Sequence, residues 1–519
     1  MNSTSSFVRG TVILTIAAFI TRMLGFVNSI VLARYLGPEG IGLLMMAHPL
    51  VPVIVTLTSL GLPVAISKLV AEAEAHGDRA KVKRILFVSL TITGTMSISL
   101  TLIVLLGSKL IGSWILTDPR AYYAMLAITP IAPLVAVSSV IKGYFRGKQN
   151  MKPLALSDVI EQVIRIILIT ALVQTLLPYG LEYAAAGAMI ASVIGEGAGL
   201  LYLLLSLKIY KRRSGLLRQA MSSRLREEKE TLSELLQIGL PTTGNGFIHS
   251  IYRAIEPMMI TKSLAIAGIS TVIATKQYGL LAGYAFPLLV FPGFIMSSLS
   301  TALIPAISEA NAQNNRRLIH ERLDQAIRIA LIIGAPCTLI LYVWAIPLTT
   351  VVYHNPEAGT FLKLLAPVFL LHYFEPPLHA VLLGLGKINT VMRNFIASTL
   401  VEGTMMFILG MQMGIHGVIW GFNFGVALLT LLNLLAVSKV IGFSFDLRSW
   451  LKVSFCLVVT VLVGQSAYVY GQQAHYPLLW SVIGCILVSL VVYTISLLST
   501  NTIKRHDMQR IPGIKRIIS

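Results

Sequence analysis

Residues 10–33 read GTVILTIAAFITRMLGFVNSIVLA, an apolar run with one charge, Arg22, near its middle. A helix rises about 1.5 Å per residue, so roughly 20 such residues cross about 30 Å of hydrocarbon. The run is long enough to span a bilayer and too long for the apolar core of a signal peptide. It therefore reads as a retained transmembrane helix. Arg9 and Arg34 bound it, which puts Arg22 roughly 20 Å from either end, near the midplane. A guanidinium there costs about 2.5–3.5 kcal/mol on insertion scales. Such a residue faces a bundle interior or a wet cavity and meets an anion.

The rest of the chain follows the same rule. Of its 519 residues 55% are hydrophobic and 12% charged, with a mean hydropathy of +0.78. A soluble protein could not bury that much apolar surface. Apolar runs of this length recur without strand-like alternation, so the class is an all-α polytopic membrane protein. The expected spans number fourteen, among them 10–33, 42–67, 235–261, 279–308, 361–384 and 394–413. Pro52, Pro63, Pro130, Pro292, Pro305, Pro376 and Pro377 fall inside spans and mark candidate hinges.

Charge decides orientation. Of the 41 Lys and Arg, 32 fall at the N-terminus, in the even-to-odd loops and in the C-terminal tail, and 6 in the opposite loops. That bias predicts a cell-membrane protein with both termini in the cytoplasm. The net charge of +19 is then topogenic and suits anionic lipid headgroups; no nucleic-acid motif accompanies it. Cys337, Cys456 and Cys485 lie in apolar runs without a disulfide or CxxC pattern. No P-loop, nucleophile motif or HExxH is present, so the chain reads as a non-enzyme without metal or cofactor.

The chain also repeats itself. Ala65-Ile66-Ser67 returns as Ala306-Ile307-Ser308, and Gly147-Lys148-x-Asn150 as Gly386-Lys387-x-Asn389, at offsets of 241 and 239. Six spans separate equivalents, which predicts two parallel six-helix lobes plus two extra C-terminal helices. The N-lobe is 1–207, the basic cytoplasmic connector 208–233 and the C-lobe 234–440. The extra helices occupy 441–499 and a basic tail 500–519.

Polar residues form stripes within these spans. Helix 7 carries Thr242, Asn245, His249, Arg253 and Glu256 on one face. Helix 1 aligns Thr11, Thr15, Ala18, Arg22, Gly25 and Ser29, and helix 2 aligns His48, Pro52, Thr56, Ser59, Pro63 and Ser67. Arg22 and Arg253 are approximate repeat counterparts. Their planar donor forks suit a phosphate or diphosphate. The competing reading pairs Arg253 with Glu256 and gives Arg22 a partner on another helix. Asp158, Glu161 and Arg165 read as a structural ion-pair cluster near the cytoplasmic mouth, with substrate contact as the alternative. His372, Glu375 and His379 form a satisfied interior cluster, a proton site or a metal site, on a helix that Pro376 and Pro377 interrupt. Ser398 and Glu402 serve helix packing or hold Na⁺ or a proton.

The segments TRMLGFVNSIVLARYLG (21–37), GLPVAISKLVAEA (61–73), AITPIAPLVAVSSVIKGYFRGKQNMKPLA (127–155) and LPYGLEYAAAGAM (177–189) carry a family likeness. They resemble the polysaccharide-export branch of the MOP superfamily, beside the MurJ lipid II flippases. The resemblance implies fourteen helices in two lobes and a flippase for an undecaprenyl-diphosphate peptidoglycan precursor, lipid II, working by alternating access in spore cortex synthesis. It implies that Arg22, in the family's RxLGF pattern, lines the central cavity. Asn28 stands where Gram-negative relatives have a second arginine, and their cavity arginines on helices 2 and 8 have no counterpart. Arg253, with Asn245, His249 and Glu256, completes the expected substrate site. The family's Na⁺ site points to Asn245, Ser398 and Glu402, so Na⁺ or H⁺ is the expected coupling ion. The expected partners are lipid II or a related polyprenyl-diphosphate lipid, anionic lipids and cortex-building enzymes. The rival readings are a flippase for another polyprenyl-linked glycan, a multidrug or cation exporter of the same fold, and a scaffold that transports nothing.

Overall fold

The computed structural model describes residues 3–213, 225–442 and 447–500. Side chains are described from residue 16 onward, apart from 211–213, 225–226, 241, 242 and 245. Most of the basic connector and nearly all of the tail lie outside the described residues. Helices account for the chain, and no strand occurs among the described residues.

The first stretch holds α1 (Ser3–Ala47), α2 (Leu50–Ser59), α3 (Leu62–Ala75), α4 (Arg79–Leu106) and α5 (Ser108–Ile115). It continues with α6 (Ala121–Ile128), α7 (Ile131–Gly147), α8 (Lys152–Leu176) and α9 (Leu181–Arg213). After the connector come α10 (Leu225–Ile266), α11 (Thr271–Gly279) and a π-helical turn, Leu280–Ala285. Then follow α12 (Phe286–Val290), α13 (Gly293–Ala312), α14 (Arg316–Val343), α15 (Ala345–Tyr353) and α16 (Glu357–Gly384). The last are α17 (Ile388–Met413), α18 (Ile415–Ile441), α19 (Leu447–Gln473) and α20 (Leu478–Ser499).

Among the described residues, eleven stretches are long and apolar enough to cross a membrane. The first, Ile16–Ala75, holds both of the first two expected spans. Helices occupy the expected seventh and tenth spans as α10 and α16, although neither is among the eleven.

The expected spans break where the backbone demands it. Gly37 takes φ 67°, which favours glycine, and Pro38 follows, so α1 bends there. The second span is three pieces. Chain leaves α1 at His48-Pro49, and α2 ends where Leu60 and Gly61 both turn left-handed. The fourth span divides at Pro130 into α6 and α7. The eighth divides at the π-helical turn and again at Pro292. The tenth departs from expectation. Residues 357–384 stay helical through Pro367, Pro376 and Pro377. Neighbours satisfy carbonyls along α16: Ser300 donates to Pro376 O, Asn423 Nδ2 to Leu364 O at 3.1 Å and Thr430 Oγ1 to Leu371 O at 3.2 Å.

Contacts divide the chain into two units, Met1–Gly283 and Tyr284–Ser519. Helices α10 and α11 thus pack with the first unit, and the boundary falls inside the π-helical turn. Such turns are a known form of local helix adjustment. In the first unit α8 packs on α9 and α1, while α3, α4, α7 and α9 close a core around Leu62, Ile66, Ile85, Tyr144 and Phe145. In the second unit α16 is central, against α13, α14 and α18, and Tyr373 donates to Leu289 O at 2.7 Å.

Candidate anion site in the first unit

Arg22 projects from the middle of α1. It is exposed, and it makes no hydrogen bond or ion pair among the described residues. The neighbouring hydroxyls are already used. Thr21 donates to Ala17 O at 2.8 Å and Ser29 to Phe26 O at 2.7 Å. Asn28 is different, because its Oδ1 is buried and has no hydrogen-bond partner. Helix α1 thus carries a guanidinium and, six residues on, an amide oxygen that have no hydrogen-bond partner among the described residues.

On α10, Arg253 is exposed and Glu256 is half-buried. The two interact electrostatically, but no direct ion pair joins them. The i,i+3 pair read from spacing is thus not closed, because the two side chains do not reach each other along the helix. His249 is exposed on the same helix, and Ser250 meets Thr56 of α2 at 2.8 Å. The Asn245 side chain lies outside the described residues.

His48 sits at the break between α1 and α2, and both Arg165 and Arg253 act on it electrostatically. This convergence was not legible in the sequence, because helical spacing aligns residues within one helix and not across three. Arg165 is ion-paired to Glu161 one turn earlier on α8, as expected, and Lys142 of α7 holds Asp158 at 2.7 Å. The cluster is thus structural and also turned toward His48. Chemically, α8 and α10 each supply a guanidinium that acts on this imidazole, a donor type suited to an oxyanion.

The other expected ion-coupling residues belong to the second unit. Ser398 is buried and donates to Phe395 O at 3.0 Å, and the Glu402 side chain packs on Gly425 of α18. Two buried amides, Asn394 and Asn433, bond each other at 3.0 Å beside them. The His372 ring lies against Phe369 at 4.9 Å.

The first unit also carries charge at both ends of α10–α11. At the connector end Lys81 meets Glu234 at 2.8 Å, and Arg84 meets Glu227. At the far end Arg120 forks onto Asp118 at 2.8 Å and reaches Glu39 of α1 at 2.6 Å. Thr275 of α11 donates to Asp118 at 2.9 Å. Asp118 is only 2% exposed. Burial pushes its carboxyl up, but hydrogen bonds from Arg120 and Thr275 outweigh that and hold it below the usual carboxylate value. A carboxyl lowered by folding stabilises above its unfolded value, about 3.9, and that contribution is lost as pH falls through the folded value. Asp118→Ala is therefore expected to destabilise the detergent-purified protein by about 2–3 kcal/mol at pH 7. Thermal melts should show the gap between wild type and variant closing in strong acid. An equal gap at all pH values would assign the loss to packing instead of charge.

The long apolar helices define the class: a polytopic membrane protein. The family model "Polysaccharide biosynthesis protein" matches residues 7–311, and the chain belongs to that family. A second model, MatE, matches residues 281–408. Stage V sporulation protein B of Bacillus subtilis is 45% identical over 99% of both chains. Sporulation protein YkvU of the same organism is 33% identical over 84% of this chain and 96% of its own. Lipid II flippase MurJ of B. subtilis is 24% identical over 91% of this chain and 90% of its own. Among solved structures, lipid II flippase MurJ in an inward closed conformation aligns with a TM-score of 0.71 at 15% identity. That alignment covers 94% of this chain and 99% of that one. An inward-facing multidrug resistance MATE transporter aligns at 0.65 and 18% identity, covering 83% and 98%. The fold is thus that of the MOP superfamily.

Proposed function

We propose that this protein is a flippase for a polyprenyl-diphosphate-linked glycan, with lipid II as the substrate and the spore cortex as its destination. The observation that carries the reading is Arg22, a guanidinium in an apolar helix with no hydrogen bond or ion pair among the described residues. Such a cation needs an anion, and a diphosphate offers the charge and the acceptor oxygens. The names of the sporulation and MurJ relatives support the substrate class. The polyprenyl tail stays in lipid while the headgroup crosses by alternating access. Both termini face the cytoplasm, and Na⁺ or H⁺ drives the cycle. The basic connector and tail bind anionic lipids, and cortex-building enzymes receive the product.

A cation exporter on this fold needs interior carboxylates facing the cleft, whereas α1 presents an arginine. The test is translocation of labelled lipid II in cells depleted of other flippases. Expression of this protein is expected to restore labelled lipid II at the outer surface. Restored cortex assembly without translocation would overturn the reading in favour of a scaffold.

A further inference from the structure

The second unit covers a helix face that the first unit leaves bare. Helices α4 and α14 are counterparts: each has 28 residues, and each follows the same turn. Asp78 Oδ1 accepts from Lys81 N at 2.8 Å, and Asn315 Oδ1 from Leu318 N at 3.0 Å. A left-handed residue, Gly77 or Asn314, stands just before each cap. These pairs are 237 residues apart. So are Gly147 and Gly384, where an added Cβ would press on Val70 and on its counterpart Ile307. Residue by residue, α4–α5 is therefore matched by α14–α15.

On α14 the matched face carries other helices. Tyr493 of α20 donates to Ile332 O at 3.0 Å, and a Cβ at Gly464 of α19 would come within 2.6 Å of the Trp344 ring. The counterparts of Ile332 and Trp344 are Thr95 and Gly107. Thr95 is exposed, and a Cβ at Gly107 would first meet Ile103 and Ile111 of α4–α5 itself. Leu102, Ile103 and Leu106 are 52%, 62% and 87% exposed, whereas their counterparts Leu339, Ile340 and Val343 are half-buried. The other side of α4 packs on α7, α3, α2 and α10.

The shape of the bare face suits a helix better than lipid. Thr91, Thr95 and Ser99 form a low ridge at four-residue spacing, beside a high ridge of Ile98, Leu102 and Leu106. The Thr95 hydroxyl is spent on Thr91 O at 2.8 Å. A Cβ at Gly94 would meet nothing within 4 Å. Small residues at this spacing let two backbones approach closely within a membrane. A low ridge beside a high one is also self-complementary, because the high ridge of one copy fits the low ridge of another about a twofold axis. Copies inserted in the same orientation run their α4 helices parallel, as this packing needs. From Ile98 to Trp114 the exposed apolar side chains offer on the order of 700 Å², close to the ~800 Å² per partner of a standard interface.

We propose that the bare face of α4 is a homodimer contact. Two copies of this chain pack α4 on α4 about an axis along the membrane normal, crossing near Thr95. The contact is independent of what the protein transports.

Oxidative cross-linking of the full chain in native membranes tests it, in a background lacking Cys337, Cys456 and Cys485. Val458, 58% exposed on α19, supplies the control. Thr95→Cys and Leu102→Cys are expected to form covalent dimers at least about tenfold faster than Val458→Cys, because a bound neighbour raises the local thiol concentration. The purified chain in lipid nanodiscs is expected to hold two copies per disc. Thr95→Phe should weaken that association about tenfold. The Thr95 side chain bonds only within α4, so this variant should melt like wild type. Should it not fold, Thr95→Cys is close enough in size to threonine to decide alone. Cross-linking at Val458 as fast as at Thr95 would mean random collision and overturn the contact. So would a single copy per disc, with lipid covering the face, or an adduct of Thr95→Cys with a different protein in place of itself.

Discussion

Arg22→Glu is expected to abolish transport, and Arg22→Ala to weaken diphosphate binding about ten- to a hundredfold. The magnitude follows from the chemistry of one charge-assisted bond, about 1.5–3 kcal/mol, at about 1.4 kcal/mol per tenfold. The reversal is worse, because it places a carboxylate where the phosphate charge must sit. Arg253→Ala should cost a similar factor, and the double variant should lose less than the sum if both forks grip one diphosphate as a unit. The control lies in the structure. Arg22 makes no hydrogen bond or ion pair among the described residues, so its removal breaks no protein contact. Arg22→Ala should melt like wild type or higher while losing farnesyl diphosphate affinity. A variant that binds the probe normally and complements a flippase-depleted strain would refute the anion site.

The contrast between Arg22 and Arg165 explains what a sequence can disclose. Arg22 was legible because one charge in an apolar run violates the bilayer rule by itself. Arg165 was hidden by Glu161 four residues before it, which offers a local partner and so a sufficient structural account. Its approach to His48 depends on how α8 meets the α1–α2 break, and no period within one helix reports that. The breaks were half legible. Of the prolines expected as hinges inside spans, Pro130 and Pro292 do fall where one helix gives way to the next, yet α16 stays helical through three prolines. There the outcome depends on donors from α13 and α18, which again belong to packing and not to the local chain. The π-helical turn at Leu280–Ala285 had no sequence signal beyond its place before Phe286-Pro287.

Gly279→Val should unseat α11 from α1, the largest structural effect available in the first unit. The two helices meet backbone to backbone. A Cβ at Gly279 would overlap the Pro38 carbonyl oxygen, and one at Gly42 would overlap the carbonyl of Thr275. No flexible side chain lies between to give way, so the added atoms must push the helices apart. Overpacking of this kind costs about 1–3 kcal/mol or more, and here it also pulls Thr275 from Asp118. A contact built of bare backbone parts as a unit, without side-chain repacking, and the Asp118–Arg120–Glu39 ion cluster then remains as the polar tie. Thiol accessibility reads the outcome. Thr275 is fully buried, so Thr275→Cys in a background lacking Cys337, Cys456 and Cys485 should resist a membrane-impermeant maleimide. Adding Gly279→Val should make it react, while Gly279→Ala gives an intermediate rate. Equal protection in all three proteins would mean that α11 and α1 tolerate a methyl-sized gap, and that the glycines are not what holds α11 against α1.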